Sequence, residues 1–210
     1  DFEDSANLGN DANGGTDITE VNLAATDQAT ETPTNNFATL NPLINNPSQY
    51  GLQTAPTPTN GNLSIAMAGG TNNIGLSTMQ LEAPNKYRCQ FELTARGSST
   101  NFELGICKGN DNINNGRIFF NSSGYIGNES GSQQSSLTSA NTVGDKVEML
   151  VDLDNNNVKF ALKENGSSTW AALGTAESIT SNTIDPIVYV REQGSSNISG
   201  TLDFGQSGYV

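Results

Sequence analysis

The sequence predicts an all-β protein that forms one two-layer antiparallel β-sandwich. Hydrophobic residues make up 34% and charged residues 15% of the chain, so small polar residues are abundant. Asn, Ser and Thr side chains compete for backbone hydrogen bonds and therefore favour turns and strands over helices. No stretch carries apolar residues at helical spacing, whereas strand patterns recur between turn clusters from Phe37 onward.

The clearest pair of strands lies between Gly144 and Leu162. Apolar residues occupy every second position in two runs, which are Val147, Met149, Val151 and Leu153, then Val158, Phe160 and Leu162. The pairs expected across a turn at Asp154–Asn157 are Leu153 with Val158, Val151 with Phe160 and Met149 with Leu162. These apolar side chains then share one face, so we predict that they are buried and that Glu148, Asp152 and Asp154 are exposed.

A second hairpin is predicted over Lys86–Gly109, with its turn at Gly97–Thr100. Cys89 lies on the apolar face of its first strand, whereas Cys107 is out of phase with the apolar residues of the second. Side chains on opposite faces of one sheet cannot form a disulfide, so we expect two free thiols, one of them buried. Weaker strand patterns cover Asn62–Met67, Ile74–Leu81, Arg117–Phe120, Ile184–Val190 and Thr201–Phe204.

Two regions differ along the chain. Residues 1–36 hold scattered hydrophobic residues among Asp, Asn, Thr and Gly, with one short strand predicted at Thr19–Leu23. We interpret them as a connector or N-terminal arm. Residues 37–210 carry the strand patterns of the sandwich. The chain opens with Asp1 and ends at Val210 in a strand-and-turn pattern, so we expect it to be a piece of a longer polypeptide.

Charge and composition exclude several classes of function. Lys and Arg number 9 against 22 Asp and Glu, and the net charge of −13 repels phosphate backbones and anionic membrane surfaces. No apolar run approaches the roughly 20 residues that span a bilayer. We therefore expect no nucleic-acid partner and no membrane insertion. The chain has no histidine, which removes the commonest general base and the commonest zinc ligand.

The second half resembles the signature of SPRY domains. Gly144–Asn157 reads GDKVEMLVDLDNNN and Val158–Gly166 reads VKFALKENG, so that Gly-Asp opens a strand, an Asp-rich turn follows and Asn-Gly ends the return strand. The other landmarks follow in family order at Lys86–Leu93, Phe102–Lys108, Ile184–Val190 and Leu202–Gly205. The resemblance implies two stacked antiparallel sheets of the concanavalin A-like jelly-roll type, with interaction loops at one edge. It implies no single function.

The segments NNFATLNPL at Asn35–Leu43 and GNLSIAMAGGTNN from Gly61 resemble the start of SPRY-like domains in virion proteins of tailed bacteriophages. Residues 8–36 resemble the connector that precedes such domains. The resemblance implies a tail-fibre, head-fibre or capsid-decoration protein on the virion surface. Its expected partners are other virion proteins, copies of itself (three for a fibre) and a glycan of the host surface.

The acidic residues predict neither catalysis nor a metal site. Glycoside hydrolysis needs two carboxylates facing one cleft at roughly 5–9.5 Å. Glu148, Asp152 and Asp154 share the outer side of a strand, but Leu150 interrupts them, so we interpret them as a solvated face. The segment Asp11–Asp17 alternates oxygen side chains around glycines as calcium loops do, but lacks the later bidentate Glu. An Asx-turn segment explains it better, so we predict no catalytic residue, no metal site and no cofactor.

Carbohydrate binding needs exposed aromatic rings that stack on sugars, with amide groups nearby. Tyr125 lies in a Ser- and Gly-rich loop and Trp170 lies beyond the Asn165-Gly166 turn, both outside clear core positions, while Asn110–Asn115 adds amides. We predict Asn112, Tyr125 and Trp170 as candidate ligand-binding residues. Burial at a sheet edge is the alternative for Trp170, and packing on a neighbouring strand is the alternative for Tyr125.

Three functions are compatible with the sequence. The first is a non-enzymatic virion module for structure or adhesion. The second is a purely architectural subunit that packs against copies of itself. The third is a secreted, lectin-like or glucanase-like module. An adhesin leaves an aromatic-lined surface open to glycans, an architectural subunit has large apolar contacts between copies, and an enzyme needs a cleft with two facing carboxylates.

Overall fold

Twelve strands run through the part of the chain that a computed structural model describes, which is residues 6–11, 13–21, 37–43, 56–70, 73–98, 101–109, 116–128, 133–179 and 185–206. No helix occurs in these ranges, and none therefore spans a membrane. The strands are β1 (Ser64–Met67), β2 (Ile74–Gln80), β3 (Lys86–Arg96), β4 (Phe102–Lys108), β5 (Ile118–Asn121), β6 (Tyr125–Asn128), β7 (Gln133–Ser136), β8 (Lys146–Asp152), β9 (Asn157–Lys163), β10 (Glu177–Ser178), β11 (Pro186–Glu192) and β12 (Ile198–Asp203).

The strands form two six-stranded antiparallel sheets that stack face to face. The first sheet has the order β1-β12-β3-β8-β9-β10, and the second has the order β2-β11-β4-β5-β6-β7. Side chains alternate across each strand, so one face of each sheet turns inward and the apolar residues of both sheets meet between them. The predicted two-layer antiparallel β-sandwich is confirmed.

The hairpin of β8 and β9 buries its apolar face as predicted. Its seven apolar side chains, from Val147 to Leu162, are all 8% exposed or less. The register differs from the predicted one by two residues, since Val151 pairs with Val158 and Met149 with Phe160. The turn begins one residue earlier because the Asp152 carboxylate accepts hydrogen bonds from the backbone and side-chain amides of Asn155.

The predicted exposure of the outer side of β8 is wrong at Glu148. This side chain points away from the core but is only 7% exposed. It forms an ion pair with Arg88 and accepts a 2.9 Å hydrogen bond from Gln90, both on the neighbouring strand β3. Long side chains on adjacent strands cover one another in this way. Asp152 is partly buried beside Lys86, whereas Asp154 is exposed as predicted.

The hairpin predicted over Lys86–Gly109 does not form. β3 belongs to the first sheet between β12 and β8, whereas β4 belongs to the second sheet between β11 and β5. The two strands instead pack their apolar faces together across the core, where the rings of Phe91 and Phe102 lie 5.0 Å apart. The chain therefore crosses between the sheets after Arg96.

Both cysteines are free, as predicted, but both are buried rather than one. Cys89 faces the core from the first sheet, and Cys107 lies on the outer face of the second sheet. The reason for two free thiols is therefore their placement on different sheets and not on two faces of one hairpin.

The five weaker strands are all present, with bounds shifted by a few residues; Ile184 lies outside the described residues. β6, β7 and β10 have no predicted counterpart, because they are short and mainly polar. Residues 37–41 lie along the edge of β2, where Leu40 pairs with Ser77.

The described part of the N-terminal region folds on itself locally. The backbone N–H of Ile18 donates to the carbonyl of Gly9, and the N–H of Gly9 donates to the Glu20 carboxylate at 2.7 Å. These bonds explain why the strand predicted at Thr19–Leu23 is absent over residues 19–21; its last two residues lie outside the described ranges.

Candidate functional site

The outer face of the second sheet is buried to a degree that is unusual for a two-layer sandwich. A second apolar cluster covers it, consisting of Ile74, Leu76, Cys107, Phe119, Ile187 and Tyr189. The half-buried ring of Tyr125, at the start of β6, packs against this cluster. As a result β11 is buried on both faces along its whole length.

A carboxylate lies buried within this face. Glu103 of β4 is 1% exposed and accepts bonds from Arg117 at 3.2 Å and from the Tyr189 hydroxyl at 3.2 Å. A second guanidinium group, that of Arg191 on β11, lies 3.8 Å from the same carboxylate. Buried charges persist in proteins when they are paired and hydrogen-bonded, as here.

Two glycines leave room for Phe119 on this face of the sheet. A Cβ atom at Gly105 would lie 2.9 Å from the Cα of Phe119, and one at Gly127 would lie 2.7 Å from the tip of the Phe119 ring. Real Cβ atoms do not come so close to such neighbours. The two glycines therefore leave the space in which the Phe119 ring lies flat against the sheet.

The Phe119 ring supports the polar groups above it. The Arg117 guanidinium lies over the ring at 4.6 Å from its centroid, a cation–π geometry. The Tyr125 ring meets Phe119 edge to face, with centroids 5.8 Å apart and an interplanar angle of 74°. Asn121 of β5 lies opposite Glu103 on the neighbouring strand. We call Glu103, Arg117, Asn121, Tyr125 and Tyr189 the Glu103 cluster.

Two buried N–H groups of the Glu103 cluster lack hydrogen-bond partners, namely the Nε of Arg117 and the Nδ2 of Asn121. Asn121 pairs directly with Glu103 across β5 and β4 and is completely buried. Its side-chain oxygen accepts a 2.8 Å bond from the N–H of Ser123. Unpaired buried donors are rare in folded proteins, so these two mark a place where a bonding partner is missing.

Burial and charge shift the acidities within the Glu103 cluster. Burial raises the pKa of the Glu103 carboxyl, and the two nearby guanidinium groups and the Tyr189 hydroxyl oppose that rise. Burial, followed by the Glu103 charge, raises the pKa of Tyr125. Both tyrosines therefore carry neutral hydroxyl groups near neutral pH.

The structure brings one of the three predicted site residues into this cluster. Tyr125 belongs to it, and its packing on the neighbouring strand agrees with the alternative considered for it. Trp170 is half-buried in the segment that follows β9, beside the backbone bond from Ala171 to Leu162 of the first sheet. The two aromatic residues thus share neither strand nor sheet. Asn112 lies outside the described residues.

Sequence reasoning missed Glu103, Arg117, Asn121 and Tyr189. One signal for them was present, because Glu103 interrupts the apolar strand FELGIC and Arg191 ends the apolar strand IVYVR. Charged residues inside otherwise apolar strands are expensive to bury, so they indicate a pair or a site. Their convergence depends on the order β11-β4-β5, which local patterns do not specify.

A second candidate is an apolar cleft of about 490 Å³ between the two sheets. Met79, Tyr87, Cys89, Met149 and Phe204 are among the side chains that line it. Two of its hydroxyl groups bond to the protein itself: Tyr87 donates to the Glu82 carbonyl, and Ser77 donates to the Met79 carbonyl. The cleft thus offers a mainly apolar surface, and these two hydroxyl protons are already used.

The predicted acidic segments form no metal centre in the part of the chain that is described. No group of three or more acidic or cysteine side chains converges there. Asp11 accepts the N–H of Asn13 in an Asx turn, and Asp17 accepts the N–H of Asp11 at 3.0 Å. These carboxylates therefore hold the local loop together.

Comparisons with known proteins identify the fold. No protein-family model and no curated protein matches the chain. The SPRY domain of human HERC1 is similar in structure, with a TM-score of 0.54 and 16% identity over 69% of this chain and 89% of that domain. Lectin I-B4 from Griffonia simplicifolia, in its metal-free form, is similar with a TM-score of 0.50 and 7% identity over 80% of this chain and 99% of the lectin.

The chain has the concanavalin A-like sandwich fold found in both of these proteins. The fold expected from the SPRY resemblance is therefore confirmed. At identities this low the likeness establishes the fold alone, since one fold hosts many functions.

Proposed function

We propose that this chain is a sugar-binding module whose site is the Glu103 cluster. The observation that carries the proposal is the half-buried ring of Tyr125 beside the unpaired donors of Arg117 and Asn121. An aromatic surface with a few directed polar groups is the combination that orients small polar ligands. The fold shared with a lectin supports the same function.

Binding of a glycan panel, measured on the intact chain, tests this proposal. Tyr125→Ala should weaken binding at least about tenfold, which is ~1.4 kcal/mol of binding free energy. Trp170→Ala is the matched control, because it removes another half-buried aromatic residue, one that lies beside the first sheet, and should leave binding unchanged. If Trp170→Ala abolishes binding and Tyr125→Ala does not, the site lies beside β9 instead.

The proposed module binds without catalysis. Glu103 is held by Arg117 and Tyr189, and Glu148 by Arg88 and Gln90, so neither carboxylate is free to act as an acid or base. No release of reducing sugar is expected from any glycan that binds. Sustained hydrolysis abolished by Glu103→Gln or Glu148→Gln would contradict this part of the proposal.

The setting we propose is the surface of a tailed-phage particle, where the module acts in adhesion to host glycans. Its support is the resemblance of Asn35–Leu43 and of the segment from Gly61 to virion proteins. Immunogold labelling of particles from a host that carries this gene would locate the protein. Labelling confined to the cell and absent from particles would favour a secreted lectin-like module.

A second candidate function is assembly with copies of the chain or with other structural proteins. Ile18 and Val21, three positions apart in the chain, are 71% and 74% exposed, which is high for large apolar side chains. Such residues often mark a protein contact when they occur together. A particle mass near three chains in solution, lost on substitution of Ile18 and Val21 by Ser, is the outcome expected for a fibre subunit.

A further inference from the structure

The outer face of the first sheet holds more than half of the basic residues of the chain. Strand alternation turns the apolar residues of β3, β8 and β9 into the core and the residues between them outward. Five of the nine basic residues therefore lie on this face, namely Lys86, Arg88, Lys146, Lys159 and Lys163. The chain as a whole carries a net charge of −13, so positive charge is concentrated here.

Two of these five cations lack a carboxylate partner. The two on β3 and the one on β8 form ion pairs with carboxylates of the same face. The amino groups of Lys159 and Lys163 on β9 form no ion pair and no hydrogen bond with the residues that the structure describes. Lys163 lies directly opposite Lys146, an arrangement of like charges that is unfavourable in a sheet. A partner that brings carboxylates to β9 would compensate both charges.

The N-terminal region, residues 1–36, has the opposite character. It contains eight carboxylates and no Lys or Arg. In its described part, no ion pair with a basic residue involves Asp11, Asp17 or Glu20. Hydrogen bonds from the Asp11 N–H and the Asn7 side chain lower the pKa of Asp17, so this carboxylate is ionised at neutral pH. The region is thus an anionic segment without internal compensation.

We infer that the N-terminal region of one copy docks on the outer face of β8 and β9 in a second copy. Its carboxylates would face Lys159 and Lys163, and its exposed Ile18 and Val21 would cover Leu150, the half-buried apolar residue opposite Lys159. The contact joins different surfaces of two copies, so it is heterologous and can close as a ring, for example of three. It rests on the assembly proposed above as a second candidate function and names the surfaces that meet.

The net charge of each copy does not prevent this contact. Two chains of −13 repel one another, but salt screens the distant charges, because the Debye length is about 8 Å at 0.15 M ionic strength. Charge pairs in direct contact are closer than that and keep their attraction. The docking is therefore expected at physiological ionic strength.

Cross-linking of isotope-mixed full-length chains tests the contact directly. Unlabelled and ¹⁵N-labelled chains are mixed in dilute solution, concentrated together and treated with a carbodiimide, which joins a carboxylate to an adjacent amino group as an amide. We expect peptides that join Lys159 or Lys163 to Asp17, Glu20 or another carboxylate of residues 1–36, with mixed-label pairs as frequent as same-label pairs. Same-label pairs alone would show that the region folds back on its own sheet and would refute the docking between copies.

Charge removal on β9 supplies the quantitative test. The double variant Lys159→Gln, Lys163→Gln should lower the association constant at least about tenfold in sedimentation equilibrium. Lys108→Gln is the control, because it removes a positive charge from the second sheet and should leave association unchanged. Association that persists in the double variant would overturn this contact and leave the proposed assembly intact. A wild-type chain that stays monomeric at every concentration would overturn both.

Discussion

Glu103 is a buried carboxylate whose neighbours determine its effect on the stability of the fold. Arg117 and Tyr189 bond to it, and Arg191 lies within 3.8 Å, so its charge is compensated from β11 and from the residue that precedes β5. Removing one member of a buried ion pair destabilises a protein more than replacing both members by apolar residues, because the remaining charge stays in the interior without a partner. The cluster therefore fixes the packing of β4, β5 and β11 as well as the candidate site.

Glu103→Gln should lower the free energy of unfolding by about 3–5 kcal/mol, since it leaves two guanidinium groups facing a neutral side chain. Glu92→Gln is the matched control, because Glu92 pairs with Lys146 at 2.9 Å on the solvent-exposed side of the first sheet. Exposed pairs of that kind contribute about 0–1 kcal/mol. Urea denaturation of both variants measures the difference in the free energy of unfolding. Equal losses would show that the ion pairs of Glu103 contribute no more to stability than an exposed pair does.

Strand alternation determines which face of an element is buried but not its exact partner. The apolar residues of β8 and β9 face the core as predicted, yet their pairing is shifted by two residues. A shift of two leaves every side chain on the same face, so the apolar pattern cannot distinguish the two registers. The turn residues decide instead, through the Asx turn at Asp152 and the left-handed backbone of Asn156, with a φ of 50°.

The strands β3 and β4 illustrate the larger limit of sequence reasoning. Both are apolar on one face and adjacent in the chain, which favours a hairpin, but β3 pairs with β12 and β8, whereas β4 pairs with β11 and with the next strand, β5. The tertiary arrangement decides between pairing edge to edge and packing face to face. For the same reason Tyr125 was identifiable as a candidate, whereas its convergence with Glu103 and Arg117 was not.

A substitution in the turn distinguishes the two registers of the β8–β9 hairpin. Asn156→Val should destabilise the chain by about 1–2 kcal/mol, because a β-branched residue is strained at positive φ. Asn157→Val is the control, since Asn157 is the first residue of β9, where β-branched residues are favoured. A turn at Asp154–Asn157 would place both residues in the turn, so that register predicts that the Asn157 variant is destabilised as well. Thermal unfolding of the two variants separates these outcomes.

At the scale of the whole molecule, the sandwich has two buried layers where a simple sandwich has one. The main core lies between the sheets, and the second cluster lies on the outer face of the second sheet. Each layer contains one cysteine, Cys89 in the main core and Cys107 in the outer cluster. The two thiols therefore report on the two layers separately.

Thiol labelling with a disulfide reagent should find both cysteines unreactive in the native chain and two reactive thiols after unfolding under non-reducing conditions. Burial raises the pKa of the Cys107 thiol to about 12 and holds the pKa of Cys89 well above its usual range, so the reactive thiolate is scarce at neutral pH. Both side chains are also almost completely inaccessible, which makes opening of the structure necessary for reaction.

The variants Cys89→Ala and Cys107→Ala assign each labelling rate to one residue. Equal, slow rates that track the free energy of unfolding are expected if the two layers open together. Faster labelling of Cys89 would show that the 490 Å³ cleft it lines opens on its own, and faster labelling of Cys107 would show that the layer carrying the Glu103 cluster loosens first.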